Sequence, residues 1–302
     1  MNKNMTNDTA RPLVSLLVAN FNNAQFIEET LLSAINQTYS NIEIIVVDDA
    51  STDNSVAVIE QFVQAHKTFD IQLYRNYTNH GCGRVKRKCI DIVRGDYFAF
   101  LDPEDTIIPT AVEELLTVHL ENPQYSIVYS THYLCNEKLE PQSVSTWSGE
   151  ISEGQSHLTS TKGHIAHFVL CKKRDYDKTL GIHPEYIVAE DQDLFLKMEE
   201  IAPVFFVNKP LYYYRKHDHN ISWNENHRYR NLYWYHLAEN SAYTRRKKNK
   251  TVAANYTRVQ VDRKNLSYYL QMAKFYRRQK KLFIMLKHYG ISIRYIYTLL
   301  IN

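Results

Sequence analysis

Leu13-Val14-Ser15-Leu16-Leu17-Val18-Ala19-Asn20 and, further on, Glu43-Ile44-Ile45-Val46-Val47-Asp48 are nearly continuous apolar runs that end on a polar residue. Neither alternates, which suits strands covered on both faces. Between them Phe26, Leu31, Leu32 and Ile35 recur at helical spacing. Behind the second run Val56, Val58, Ile59 and Phe62 do the same, following Asp53 and Ser55, two residue types that cap helices. Further out, residues 71–74 predict a short strand, 85–93 a helix and 97–101 another buried strand. Strands alternating with helices predict parallel βαβ units, hence an α/β fold with a Rossmann-like, doubly wound, mostly parallel sheet. Such sheets bind ligands beyond the carboxyl ends of their strands, so the polar residues that follow each run become the candidates.

Composition narrows the chemistry. The 302 residues are 44% hydrophobic and 23% charged, enough for a sizeable core in one domain or a domain with an appendage. The net charge of +3 conceals a split. Residues 245–302 hold 15 Lys or Arg against one acid, Asp262, a balance of +14; the first 244 residues hold 21 basic and 32 acidic groups, a balance of −11. Only 8 glycines are present, and neither G-x-G-x-x-G nor G-x-x-x-x-G-K-[ST] occurs, so nucleotide binding through a glycine-rich loop is excluded. The four cysteines form no C-x-x-C pair, and residues 1–11 are polar, which reads as a flexible N-terminus on a reduced, cytoplasmic protein. The longest apolar stretch, 282–301, is broken by Lys287, His288 and Arg294, so no bilayer-spanning helix is expected.

Three acidic clusters carry the chemistry. Asp48-Asp49-Ala50-Ser51-Thr52-Asp53 closes a strand, where a carboxylate can accept from a nucleobase or ribose. Asp102-Pro103-Glu104-Asp105 closes another; carboxylates this close repel one another unless a cation neutralises them, and a hard divalent ion shared with a diphosphate would do so. Glu190-Asp191-Gln192-Asp193 opens a helix, where a carboxylate can serve as general base. Each cluster alone also reads as acids capping a helix or filling a solvated turn. Their conjunction changes that reading.

In order, Pro12 to Asn22, Gln37-Thr38-Tyr39 and Glu43 to Asp53 resemble the opening of family 2 glycosyltransferases of the GT-A fold. Gly95 to Asp105 is similar to that family's metal-binding segment and Ala189 to Leu194 to its catalytic one. Tyr214-Arg215-Lys216-His217 with Asn220-Ile221-Ser222 is similar to the close of its catalytic domain. The resemblance covers about residues 12–222 and implies an inverting, metal-dependent enzyme with a UDP-sugar donor. Carried over, it makes Ala19 and Phe21 walls of the nucleotide pocket and gives Asp49 to the uracil. Asp102 and Glu104, with Asp105, would hold Mg²⁺ or Mn²⁺ and the diphosphate, and Asp191 would be the base. His217 would reach the metal or diphosphate, although a lone histidine, with His219 close by, also reads as structural.

The sequence departs from the family at three places. Glu104 stands where a second Asp is usual, Val85-Lys86-Arg87 replaces Ala-Arg-Asn while leaving Arg84 and Lys86 as phosphate contacts, and Ala19 replaces a proline. His164 and His167 have the spacing of one helix face; two ligands fall short of a zinc site, and a place beside the acceptor pocket is expected for them. Residues 143–163, rich in Ser, Thr, Gly and Glu, predict a mobile loop that helps select the acceptor.

The expected organisation is a GT-A catalytic domain over 12–230 and a basic helical C-terminal extension over 231–302. That extension reads either as helices packed on the catalytic domain or as an interfacial element drawn to anionic lipid, with nucleic acid excluded as partner. The expected activity is transfer of a sugar to a hydroxyl on a glycan or lipid-linked glycan in cell-surface polysaccharide synthesis, at the inner face of the membrane. The alternatives are a non-catalytic nucleotide-sugar-binding protein and a sugar nucleotidyltransferase. The latter needs a glycine-rich loop where this chain has Asn20-Phe21-Asn22-Asn23.

Overall fold

The two quoted runs become neighbouring parallel strands, β1 (Val14–Asn20) and β2 (Ile42–Asp48), paired residue for residue from Val14 with Ile42 to Asn20 with Asp48. β3 (Asp70–Arg75) extends the sheet beside β2, and β4 (Tyr97–Phe100) lies on the other side of β1, both parallel. The connections are α1 (Ile27–Ile35), α2 (Ser55–Ala65) and α3 (Cys82–Asp91). A computed structural model describes residues 11–160, 162–217, 228–249, 258–278 and 280–301. The segment read as a flexible N-terminus, apart from Arg11, lies outside them, as do His219 and the Asn220-Ile221-Ser222 motif.

Both faces of the strands are buried, for the reason the unbroken apolar runs suggest. Leu16, Val18, Ile44 and Val46 pack on one side against Leu31 of α1, Ile59 and Phe62 of α2 and Leu115 of α4 (Ala111–Glu121). Leu17, Ile45 and Val47 pack on the other against Val85 and Ile90 of α3 and Leu194 and Met198 of α6 (Glu190–Glu199). Odd and even residues of each strand thus feed different cores.

The second half of the sheet is mixed. After β5 (Thr106–Ile107) come β6 (Ile127–Cys135), β7 (Pro141–Val144), β8 (Val169–Lys172), a one-turn helix α5 (Lys173–Tyr176) and β9 (Val204–Arg215). The order is β3-β2-β1-β4-β8-β6-β9-β5, with β8 antiparallel to β4 and β6, and β7 on β6. The doubly wound, mostly parallel architecture expected from the sequence is therefore present, with antiparallel strands added where the chain turns back.

The C-terminal extension is α7 (Arg228–Lys248), α8 (Arg258–Arg278) and α9 (Leu282–Ile301). α7 docks on the catalytic part: Ala238 and Ala242 join Leu158, Tyr186 and Leu196 in a third core, which Val261 of α8 completes. Arg245 and Arg246 are bound to Glu200 and Glu199 at 2.9 and 2.7 Å. The start of the basic stretch is thus a packing surface. Residues 143–163 are not one featureless loop either: 143–144 belong to β7, and Ser148 bridges to His164.

Candidate active site

At the carboxyl end of β1 and β2, Asp48 fixes the turn itself, accepting from Asn20 Nδ2 at 2.8 Å, Ser51 N at 2.9 Å and Ser51 Oγ at 2.6 Å. Ala50 follows with φ 62, a left-handed conformation that costs an L-residue about 1–2 kcal/mol. Asp49, 3% exposed, turns toward the segment after β3: its oxygens accept from Asn76 Nδ2 at 2.7 Å, from His80 N at 3.0 Å and from Gly81 N at 2.9 Å. Gly81 has φ 85, so aiming these two amides at one carboxylate requires a residue without Cβ. Phe21, 44% exposed, and the half-buried Ala19 stand beside this turn.

The second cluster comes from the end of β4. Asp102 keeps about a quarter of its side chain open to the cleft, 3.6 Å from Lys86 Nζ on α3 and 3.7 Å from His167 Nε2. Burial works to raise its carboxyl, but the charges of Lys86 and then His167 outweigh it and hold Asp102 below its ordinary value. Lys86 also reaches Glu190 Oε1 at 2.8 Å. Although burial opposes it, the charges of Glu190 and Asp102 hold its ammonium well above the usual lysine range. Cys82 Sγ donates to the same Glu190 oxygen at 3.3 Å.

The third cluster is set by Ala189, whose φ of 63 turns the chain sharply into α6 and brings Glu190 and Asp191 to the cleft. Burial, and after it the charge of Glu190, raise the Asp191 carboxyl; Lys86 and His167 partly offset this. The segment before α6 is clamped on α3. Gly83 N donates to Tyr186 O at 2.9 Å, and a Cβ at Gly83 would sit 2.4 Å from that oxygen. Asp102, Lys86, Glu190 and Asp191 thus converge from β4, α3 and α6.

The remaining expected residues divide. Glu104 Oε2 lies 3.2 Å from His217 Nε2, placing both at the rim of the same acidic segment. Asp105 does not share that setting: it is 1% exposed and accepts from Tyr212 OH and Arg215 N, each at 2.7 Å. Burial and then Asp102 raise it well above its ordinary value. Through these two bonds it anchors β9 to the acidic segment. Arg84 is ion-paired with the exposed Glu185, whereas Lys86 faces the acidic cleft. Among the described residues no three His, Cys, Asp or Glu side chains are gathered as a ready metal cluster. The donor set nonetheless suits a hard cation. Asp102 is held ionised and partly open, and Glu104 with His217 offers an oxygen and a nitrogen, leaving further positions for diphosphate oxygens and water.

His164 and His167, expected on one helix face, lie instead in irregular backbone before β8. His167 stacks on Tyr212 at 4.8 Å beside Asp102. His164 stacks on Trp147 at 4.0 Å and lines a cavity of about 510 Å³ with His157, Gln192, Tyr235 and Tyr268. Tyr235, on α7, links this cavity to Asp191: burial, then the charges of Asp191 and Glu190, push its hydroxyl upward. A larger cavity of about 770 Å³ lies at the opposite end of β1 and β4, around Arg94, Lys172 and Arg174. Its basic groups are committed to Glu43, Asp70 and the Pro123 carbonyl.

The profile of glycosyl transferase family 2 matches residues 15–180, more than half of the chain and the whole stretch from β1 past β8. The chain belongs to glycosyl transferase family 2. It is 28% identical over 211 residues to the chondroitin synthase of Escherichia coli, covering 70% of this chain and 30% of that protein. It is 29% identical over 212 residues to the hyaluronan synthase of Pasteurella multocida, covering 70% and 21%. The chain thus spans less than a third of the length of these relatives. In fold it is similar to Staphylococcus aureus TarS residues 1–349 in complex with UDP-GlcNAc, with a TM-score of 0.65, 17% identity and coverage of 94% and 81%. It is also similar to the mannosyltransferase PcManGT of Pyrobaculum calidifontis in complex with GDP-Man and Mn²⁺, with a TM-score of 0.59, 14% identity and coverage of 96% and 85%. The GT-A arrangement expected for a family 2 chain is the one observed.

Proposed function

We propose that residues 12–230 form the catalytic unit of an inverting glycosyltransferase that moves a sugar from a UDP-sugar to a hydroxyl of a glycan or lipid-linked glycan in cell-surface polysaccharide synthesis. The observation that carries this is the meeting of Asp102, Lys86, Glu190 and Asp191 at the carboxyl end of the sheet. The raised proton affinity of Asp191 suits it to take a proton, as a general base must. The UDP-GlcNAc held by TarS and the hyaluronan and chondroitin synthases among the relatives support the donor class and the glycan product.

In this reading Phe21 and Ala19 flank the base and Asp49 holds the uridine side of the pocket, directly or by fixing the loop that closes it. A divalent ion held by Asp102 and Glu104, with His217 beside it, would neutralise the diphosphate when bound. Asp191 takes the proton of the acceptor hydroxyl while that oxygen attacks the anomeric carbon. The bond from that carbon to the diphosphate oxygen breaks, and its electron pair leaves with UDP. A single displacement inverts the anomeric centre and needs no protein nucleophile. The cavity beyond Asp191 takes the acceptor, with the exposed Trp147 ring as a stacking surface for sugar. A place at the inner, cytoplasmic face of a membrane, with the 245–302 segment toward anionic lipid, belongs to the same reading. The test is a panel of nucleotide sugars offered with Mg²⁺ or Mn²⁺. UDP-sugar binding and slow hydrolysis are expected, and no binding or hydrolysis of any donor with either metal would overturn it.

A further inference from the structure

We infer that the outward face of α9 is a membrane contact that lies flat in the interfacial layer of a bilayer containing anionic lipid. This sharpens, and rests on, the proposed placement at a membrane, but it assigns the contact to one helix face and its test reads lipid binding alone. α9 is packed the wrong way round for a water-soluble helix. Toward α8 it turns His288, which stacks on Tyr276 at 5.2 Å, Tyr295, which stacks on Tyr269 at 5.7 Å, and the 1% exposed Ser292. Away from α8 it presents Leu282, Phe283, Leu286, Ile293 and Tyr297, exposed by 64, 82, 56, 65 and 67%. Positions 282, 286, 293 and 297 repeat at four, seven and four residues, so these side chains form one stripe from residue 282 to residue 297, not scattered exceptions.

Charge decides the occupant. Lys287 and Arg294, seven apart, run along one edge of the stripe, Lys280 and Lys281 sit at its start, and no acid follows Asp262. A second copy seated face to face would bring these cations against their own copies, whereas an anionic lipid surface is complementary to them. No helix among the described residues is long and apolar enough to cross a membrane, so a stripe of this kind lies on the bilayer and does not span it.

The test is co-sedimentation of the full chain with vesicles of phosphatidylcholine alone and of phosphatidylcholine with phosphatidylserine. Wild type is expected to pellet with the second and much less with the first. Leu282→Ser/Phe283→Ser/Ile293→Ser is expected to lose binding by about tenfold or more, and Lys287→Gln/Arg294→Gln to lose the preference for the anionic lipid. All five side chains are largely exposed or on the helix surface, and unchanged circular dichroism and melting temperature show that each variant is folded. Wild type that ignores both vesicles, or a triple serine variant that binds as well as wild type, overturns the inference. So does sedimentation velocity showing a wild-type dimer that the triple variant dissolves, because the stripe would then be a self-interface.

Discussion

The ammonium of Lys86 lies 2.8 Å from Oε1 of Glu190, and both side chains are only 8% exposed. The pair ties α3 to the start of α6 and supplies the cation that Asp102 and Asp191 both feel. Lys86→Met would leave Glu190 buried without its partner, a loss of about 3–5 kcal/mol. Adding Glu190→Gln should return part of it, since the uncompensated charge is gone. Urea unfolding of the two single variants and the double measures this as a cycle. Additive losses would show that the two groups do not interact in solution.

Asp191 separates chemistry from stability. Asp191→Asn is expected to lower transfer by about 10²- to 10⁴-fold while UDP affinity stays near that of wild type. Because burial, and next Glu190, raise this carboxyl in the folded chain, ionising it opposes folding. The penalty is absent below the ordinary aspartate range and grows as pH rises through the raised value. Asp191→Asn should therefore melt above wild type at about pH 8 and together with it at about pH 3 or below. Equal losses of transfer and UDP binding would move the base elsewhere.

Trp147 tests the acceptor side. Its ring is stacked on His164 on one face and remains 57% exposed. Trp147→Ala should raise the acceptor KM about tenfold, the size of a lost aromatic contact, with UDP-sugar hydrolysis in the absence of acceptor unchanged. A fall in hydrolysis with an unchanged acceptor KM would assign the cavity to something other than the acceptor.

What the sequence showed, and what it hid, follows from contact range. β1, β2 and β4 were legible because strands buried on both faces must be apolar throughout, and the three acidic clusters because each directly follows a strand or opens a helix. β6 and β9 were not legible. Ser130, Thr131 and His132 interrupt the first, and Asn208, Lys209 and Pro210 the second, where the register shifts between Ser130 and His132. His164 and His167 matched a helical period by coincidence, and their partners Trp147 and Asp102 come from other segments. The link from Lys86 to Glu190, and the arrival of Tyr235 from α7 beside Asp191, depend on docking of helices far apart in the chain, which no local pattern records.

Asp49 offers the sharpest choice between two roles. The resemblance assigns it to uracil, yet its oxygens already accept from Asn76, His80 and Gly81, and only 3% of the residue is exposed. An ionised acceptor for backbone amides contributes about 1.5–3 kcal/mol, and more than one donor depends on it here. Asp49→Asn keeps the shape but replaces one acceptor oxygen by a donor that faces other donors. If the carboxylate fixes the loop before α3, the variant should lose about 2 kcal/mol of stability and bind UDP more weakly, with both defects of similar size. If Asp49 touches only the base, UDP affinity should fall while the melting temperature holds. Calorimetry of UDP binding beside thermal unfolding distinguishes the two, and the geometry favours the first, because every donor on Asp49 comes from the loop whose glycine is held at φ 85.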